Sequence, residues 1–207
     1  MDIGSDRQLF LDDTLVDRME GLALRQHEPA LREVALRLDR PWEGEVSWCP
    51  VVLKDDGRYR MWYRSETAGE PKHSFTAYAE STDGIEWHRP NLGIAQFNGS
   101  TDNNICIDNP DVKNTAVFRD ERPGVPEDER YKAVGRWTRG KPSRIYGLCS
   151  LDGIHWAPAQ EDPLIIAPDN DPQFDSPLSA FWDSRQEQYV IYVRGWFPDG
   201  PERRIRA

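Results

Sequence analysis

The chain has 207 residues, 30% of them charged, with a formal net charge of −10, a balance that excludes nucleic acid or an anionic membrane as a natural partner. Cys49, Cys106 and Cys149 are an odd, widely spaced set without a C-x-x-C pair, which argues against a disulfide framework and against a zinc site. No stretch approaches 18 apolar residues, and the segment from Met1 to Asp6 has no basic region followed by an apolar run. The expectation is a soluble chain without an export signal, cytoplasmic as written.

In chain order, LFLDDTLVDR (Leu9 to Arg18) and PALREVALRLDR (Pro29 to Arg40) fit helical and strand periods alike over short windows. The first is read as a strand and the second is left open. From Gly44 onward the apolar period is close to two, and frequent Pro and Gly punctuate the chain, so the remainder is predicted to be all-β.

Three hairpins follow. PVVLKDDGRYRMWYR (Pro50 to Arg64) carries Asp56-Gly57 between two alternating runs, a strong hairpin signal. TAVFRDERPGVPEDERYKAVGR (Thr115 to Arg136) repeats it with a longer turn, and LSAFWDSRQEQYVIYVR (Leu178 to Arg194) turns at Asp183 to Gln186. After the first two come STDGIEW (Ser81 to Trp87) and SLDGIHW (Ser150 to Trp156), displaced by 69 residues and each preceded by a further strand, SFTAYAE or RIYGLC. The unit is therefore about four strands in roughly 60 to 70 residues, which reads as a propeller blade. The expected organisation is a segment 1–40 with strand character packing on a partial β-propeller at 41–207. Its four-stranded antiparallel blades fall at about 45–95 and 110–168, with a partial third at about 174–207, where RRIRA aligns with the strand before a third S-x-D-G-x-x-W.

The pattern resembles the five-bladed propellers of the glycoside hydrolase family 32 and 43 type, especially the family-32-like group. The residues that carry the resemblance are LFLDD (Leu9 to Asp13), RPWEG (Arg40 to Gly44), DDGRYRMWYR (Asp55 to Arg64), STDGIEW, NTAVFRD (Asn114 to Asp120), SLDGIHW and FDSPLSAFWD (Phe174 to Asp183). The resemblance implies a chain incomplete at about two and a half to three of five blades, and a carbohydrate substrate cleaved by carboxyl groups. No cofactor is implied. The S-x-D-G-x-x-W elements resemble the Asp-box turns of sialidase-like propellers, one residue shorter, and are read as architecture: Asp83 and Asp152 bond turn amides, and Trp87 and Trp156 plug gaps. The N-D-P-N-G motif of these families is absent, and Arg119-Asp120 lies at the far end of its strand.

Topology then sorts the candidates. In an antiparallel blade the hairpin turns and the Asp-box turns share one rim, so Asp55, Asp56, Asp120 and Asp183 are expected to keep turns solvated. The opposite rim receives Trp42, Glu43, Glu45 and Trp48 in the first unit, Asp108 and Asp111 in the second, and Asp175 in the third. Glu43, Asp111 and Asp175 are the catalytic candidates, since a glycosidase needs one protonated and one ionised carboxyl. Tyr59 and Arg64, Tyr131 and Arg136, and Tyr189 and Arg194 are each five apart, which sets Arg64, Arg136 and Arg194 at one address on that rim. They either bind an anionic or hydroxyl-rich ligand, together with Trp42 and Trp48, or pair with acidic loops. His27, His73, His88 and His155 have no metal-ligand spacing, and Asx turns account for Asp102-Asn103-Asn104 and Asp108-Asn109. The alternative to hydrolysis is a non-catalytic propeller binding a glycan or a protein. An open last blade would expose an edge strand, with self-association through it as the expectation.

Overall fold

A computed structural model describes Gly4, Leu9 and residues 11–69, 72–109, 112–137, 142–167, 174–196 and 203–206. The chain divides into two units, Met1–Val34 and Ala35–Ala207. In the first, the described residues form neither strand nor helix; the strand expected at Leu9 to Arg18 is replaced by turns, with Thr14 N–H donating to Asp12 Oδ1 at 3.0 Å and Val16 N–H to the Asp13 carbonyl at 2.9 Å. Leu11, Leu22 and Leu31 of this unit are exposed. The stretch 29–40, left open between helix and strand, adopts neither.

The second unit is all-β apart from a 3₁₀ turn at Glu127–Glu129. Its first sheet runs β1 (Trp48–Asp55), β2 (Arg58–Glu66), β3 (Ser74–Ser81), β4 (Ile105–Ile107), each antiparallel to its neighbour. The fourth strand lies beyond the boundary expected near residue 95, because residues 89–104 form an excursion closed by Leu92 N–H on the Asn103 carbonyl at 2.8 Å. The second sheet runs β5 (Lys113–Arg119), β6 (Tyr131–Trp137), β7 (Arg144–Ser150), with β8 (Ala157–Pro158) and β9 (Ile165–Ile166) both on the free side of β7. The third comprises β10 (Phe174–Asp183), β11 (Gln188–Trp196) and β12 (Arg203–Arg206). Asp56 at φ 48° and Gly57 at φ 79° close the first hairpin in the left-handed conformations a two-residue turn requires. Among the described residues no helix is long and apolar enough to cross a membrane.

Period-two alternation gives the second sheet two apolar faces. Val117, Ala133 and Leu148 pack with Trp62, Tyr78 and Ile107 of the first sheet, while Ala116, Phe118, Val134 and Ile145 pack with Leu178, Ala180 and Val193 of the third. The sheets are thus stacked face to face in sequence order.

Polar ties fix the stack. The Tyr131 hydroxyl donates to Asp55 Oδ2, and Asp55 Oδ1 pairs with Arg119 and, at 3.5 Å, with Arg130. One sheet further on, the Tyr189 hydroxyl donates to Asp120 Oδ2 at 2.6 Å. Asp55 and Asp120 are buried, 3% and 4% exposed. The expectation that they keep turns solvated is therefore corrected in part: each is buried as the acceptor for a tyrosine of the following sheet, while Asp120 Oδ1 also serves its own turn, accepting from Arg122 N–H at 3.0 Å. Asp183 does serve its own turn, accepting from Arg185 N–H at 2.9 Å.

The two Asp-containing turns are built alike. Ser81 Oγ accepts from the amides of Asp83 and Gly84, and Asp83 Oδ1 accepts from Ile85 and Glu86; Ser150 and Asp152 repeat the arrangement with Gly153, Ile154 and His155. The second turn also clamps the first sheet, since Trp62 Nε1–H and Arg60 Nη1–H donate to the Gly153 and Asp152 carbonyls, each at 2.6 Å. Gly153, at φ 75°, leaves no room for a side chain, because a Cβ there would stand 2.8 Å from the Trp62 ring.

Asp55→Ala is expected to cost about 3 kcal/mol, because it strands a buried hydroxyl and removes a carboxylate from its cations. Asp183→Ala, at the equivalent but solvated position, should shift the unfolding midpoint far less; urea titration of both variants checks the contrast. Burial alone would raise the Asp152 carboxyl, but the His155 side chain and the His155 and Ile154 amides outweigh it and hold it at about 2; Asp55 is lowered also, Tyr131 and the arginines overcoming its burial. A carboxyl depressed on folding stabilises the native state above its unfolded pKa of about 3.9 and loses that contribution as pH falls through the folded value. The melting temperature should therefore hold from pH 7 to 5 and drop between about pH 4 and 2, with a shallower acid limb in Asp152→Asn.

Candidate functional site

The end of the stack opposite the Asp turns is shaped by three interruptions of the ladder. Trp48 faces Arg64, Lys113 faces Arg136 and Asp175 faces Arg194, and immediately after each pair the register shifts, between Trp48 and Val51, Lys113 and Ala116, and Asp175 and Leu178. Cys49 at φ 54° and Asn114 at φ 55° take up the first two bulges in the left-handed region, uncommon for side-chain-bearing residues. A bulge re-aims the side chains beside it, here at one address in three sheets.

Those side chains are the arginines. Arg64 pairs with Glu66, and its guanidinium lies 6.0 Å from the Trp48 ring centroid. Arg194 Nη2 is 3.0 Å from Asp175 Oδ2. Arg136 differs: Nη1–H donates to the Phe174 backbone carbonyl, and among the described residues no carboxylate is within ion-pair distance. Arg136 bonds the carbonyl of Phe174, whose neighbour Asp175 pairs with Arg194, so these two guanidinium groups meet at the start of β10, with Arg64 within electrostatic reach of Arg136. Burial lowers the Arg136 pKa, Asp175 opposes the shift, and the two flanking arginines add to it. The Nε of each of the three is buried with no hydrogen-bond partner among the described residues. Glu66 is 5% exposed at its side chain and is held below the usual carboxylate range: burial acts against this, but the Ser74 hydroxyl, Arg64 and Lys113 prevail. Beside them, His73 Nε2 lies 2.7 Å from Asp108 Oδ1, with the His73 ring stacked on Phe75 at 4.2 Å.

Of the residues singled out from sequence, Asp175, Trp48, Arg64, Arg136 and Arg194 come together. Glu43 stands in a separate, closed network, accepting from the Tyr63 hydroxyl, from Arg89 at 2.6 Å and from the Arg40 amide at 3.0 Å, with no accessible side-chain surface. Its neighbour Trp42 donates to Asn104 Oδ1 at 2.8 Å and packs edge-on against Phe97. Asp111 lies outside the described residues. Glu66 and Cys49 join the site without having been singled out. Glu66 was legible, since Arg64-Ser65-Glu66 puts both charges on one face of a strand; Cys49 reaches the site through a bulge that leaves no mark in the sequence.

A cleft of about 410 Å³ at the other end is lined by Arg58, Glu80, Asp83 and Trp87. Its carboxylates are engaged, Asp83 with turn amides and Glu80 with Arg58 and the Tyr78 hydroxyl, so the arginine end is the better candidate.

No family model matches the chain. Two curated proteins of Mycobacterium tuberculosis, the uncharacterized protein Rv1502 of strain H37Rv and the uncharacterized protein MT1551 of strain CDC 1551, are each 29% identical over 152 residues, covering 69% of this chain and 44% of their own length. The chain thus spans less than half of these relatives. Among solved structures, a glycoside hydrolase superposes with a TM-score of 0.52 at 14% identity, over 77% of this chain and 52% of its own. A fructofuranosidase from Schwanniomyces occidentalis complexed with fructosylnystose matches with a TM-score of 0.52 at 15% identity, over 81% of this chain and 34% of its own. What is shared at these identities is the all-β, antiparallel fold.

Arg136 gives a local test. A buried cation with an unbonded Nε and two like-charged neighbours burdens the fold, so Arg136→Met should leave stability unchanged or raise it by about 1–3 kcal/mol. A midpoint lowered by more than about 1 kcal/mol in urea would mark the arginine as a structural strut instead.

Proposed function

We propose that the chain is part of a propeller of the glycoside-hydrolase type, its three sheets being successive blades, and that it acts on a carbohydrate at the arginine-lined end. The observation that carries this reading is the convergence of Asp175 with Arg64, Arg136 and Arg194, side chains delivered by three separate sheets to one end of the stack. The fold shared with a glycoside hydrolase and a fructofuranosidase supports it, as does the exposed Trp48 ring at the rim, a flat surface suited to a sugar face.

Within this reading Asp175 is the carboxylate that meets the substrate, oriented by Arg194. Glu66, kept ionised by Arg64 and Ser74, adds negative charge beside a developing oxocarbenium ion. Asp111 is retained as the partner carboxyl, since in the sequence it precedes the second hairpin as Asp175 precedes the third. Glu43 is assigned a positioning role: its hydrogen bonds to Tyr63, Arg89 and the Arg40 amide anchor the entry to the first blade.

A second reading is a glycan-binding propeller without turnover, favoured by the engagement of both Asp175 and Glu66 in ion pairs. The two separate in one assay series on aryl-glycosides and oligosaccharides. Hydrolysis predicts that Asp175→Asn lowers kcat by at least about a hundredfold with little change in KM, while Glu43→Gln acts mainly through stability. Saturable binding with no turnover in wild type selects the binding module, and equal rates in wild type and Asp175→Asn remove Asp175 from the site.

A further inference from the structure

A further cavity, of about 420 Å³, lies between the outer strands of the first two sheets, among Ile94, Gln96, Ile107, Asp108, Leu148 and Trp156. Its cause is local. β4 is three residues long and β8 only two, so each sheet gives out early on its outer side, and Ile94 and Gln96 of the excursion at 89–104 stand exposed at the gap. One wall is apolar: Ile107 and Leu148 are buried, and Trp156 spends its Nε1–H on the Gly153 carbonyl at 3.1 Å, so what the indole offers the cavity is its ring. The other side is polar. Asp108 gives Oδ1 to His73 at 2.7 Å and keeps Oδ2 without a partner among the described residues, and the Gln96 amide has none there either.

These features narrow the ligand. Among the described residues no cation lines the cavity to hold an anion, and a wholly apolar ligand would take Asp108 and Gln96 out of water unbonded. A sugar ring suits both sides: its C–H face lies on the indole and the aliphatic side chains, while adjacent hydroxyls donate to the carboxylate oxygen and exchange hydrogen bonds with the carboxamide, which both donates and accepts. The volume falls within the roughly 300–1,000 Å³ of small-molecule sites.

We infer that this cavity is a second carbohydrate site, holding an uncharged saccharide of one or two rings against Trp156 and between Gln96 and Asp108. The imidazole of His73, stacked on Phe75 at 4.2 Å, fixes Asp108 by one oxygen and leaves the other for the ligand. The site anchors and does not cleave, since among the described residues its lining has one carboxyl group where hydrolysis needs two. None of Arg64, Arg136, Arg194 or Asp175 lines it, so it stands apart from the reading of the arginine end.

The experiment is an NMR titration of the 207-residue chain, methyl-labelled at isoleucine and leucine and ¹⁵N-labelled at tryptophan. Sucrose, lactose, maltose and cellobiose are the probes, and cyclohexanol is the apolar control. The expected result is a saturable shift of the Ile107 and Leu148 methyl signals with at least one disaccharide, its affinity weakened about fivefold or more by Gln96→Ala and by Asp108→Ala and unchanged in Arg136→Met. Gln96 and Asp108 are both exposed, so these replacements leave the fold in place. The Trp48 indole signal reports on the arginine end in the same spectra. A response at Ile107 and Leu148 without one at Trp48 supports the second site and counts against a carbohydrate at the arginine end. A response at Trp48 alone overturns the second site and leaves the arginine end standing. Methyl shifts that survive both replacements, or that cyclohexanol reproduces with equal affinity, overturn it as well. Silence at both positions removes the two sites together.

Discussion

The hydrogen bond from the Tyr131 hydroxyl to the buried Asp55 carboxylate, repeated from Tyr189 to Asp120, sets how far each sheet slides over the one before it. Apolar contact between sheets is non-directional and would tolerate a range of offsets. A charged acceptor sealed among Arg119, Arg130 and Tyr131 does not, since a shift of a few ångströms would leave a carboxylate or a hydroxyl buried without a partner. With the turn ends aligned in this way, the opposite ends of β2, β6 and β11 are aligned too. The arginines lie at those ends, five residues beyond Tyr59, Tyr131 and Tyr189, so the register that stabilises one end of the stack assembles the site at the other.

The two ends divide the electrostatic work. At the turn end, carboxylates outnumber what the site would need and are consumed by amides, tyrosines and cations. At the arginine end, Arg64 and Arg194 are each answered by a carboxylate, and Arg136, among the described residues, by a backbone carbonyl alone while held partly out of water. Preorganisation of that sort lowers stability locally and removes the cost of gathering the groups when a ligand arrives. The bulges at Cys49 and Asn114 belong to the same pattern, backbone strain placed beside the residues it aims.

Much of this was legible in the residues. Asp56-Gly57, the paired S-x-D-G-I-x-W turns and the five-residue Tyr to Arg spacing are local features, and local chemistry decides them. The alternation that marks strands also identifies which residues share a face, which is how Arg64 and Glu66 group together. What alternation does not encode is what covers a face. Asp55 and Asp183 occupy the same place in their hairpins, yet one is sealed by the next sheet and the other caps its own turn in solvent. Glu43, in an acidic entry segment like that of Asp175, is enclosed because Arg89 and Tyr63 arrive from far along the chain. The segment 9–18 misled for a local reason: its pattern suits a strand, but its Asp12 carboxylate and Asp13 carbonyl bond amides two and three residues on and fold the described residues into turns.

The Asp and Tyr tie also has a polarity. The hydroxyl always comes from the later sheet and the carboxylate from the earlier one, so the seam is head-to-tail and not self-complementary. Two identical faces brought together about a two-fold axis would set carboxylate against carboxylate or phenol against phenol. Such a stack grows in one sense, and its order in space is forced to follow its order in sequence. The outer members of the repeat carry the two unlike halves: Tyr59 on the first sheet, its ring under the Lys54 ammonium, and Asp183 on the third, turned to its own hairpin. The seam therefore acts as a key with a plug on one side and a socket on the other, which rules out shuffled or inverted arrangements of sheets whose apolar faces are otherwise interchangeable.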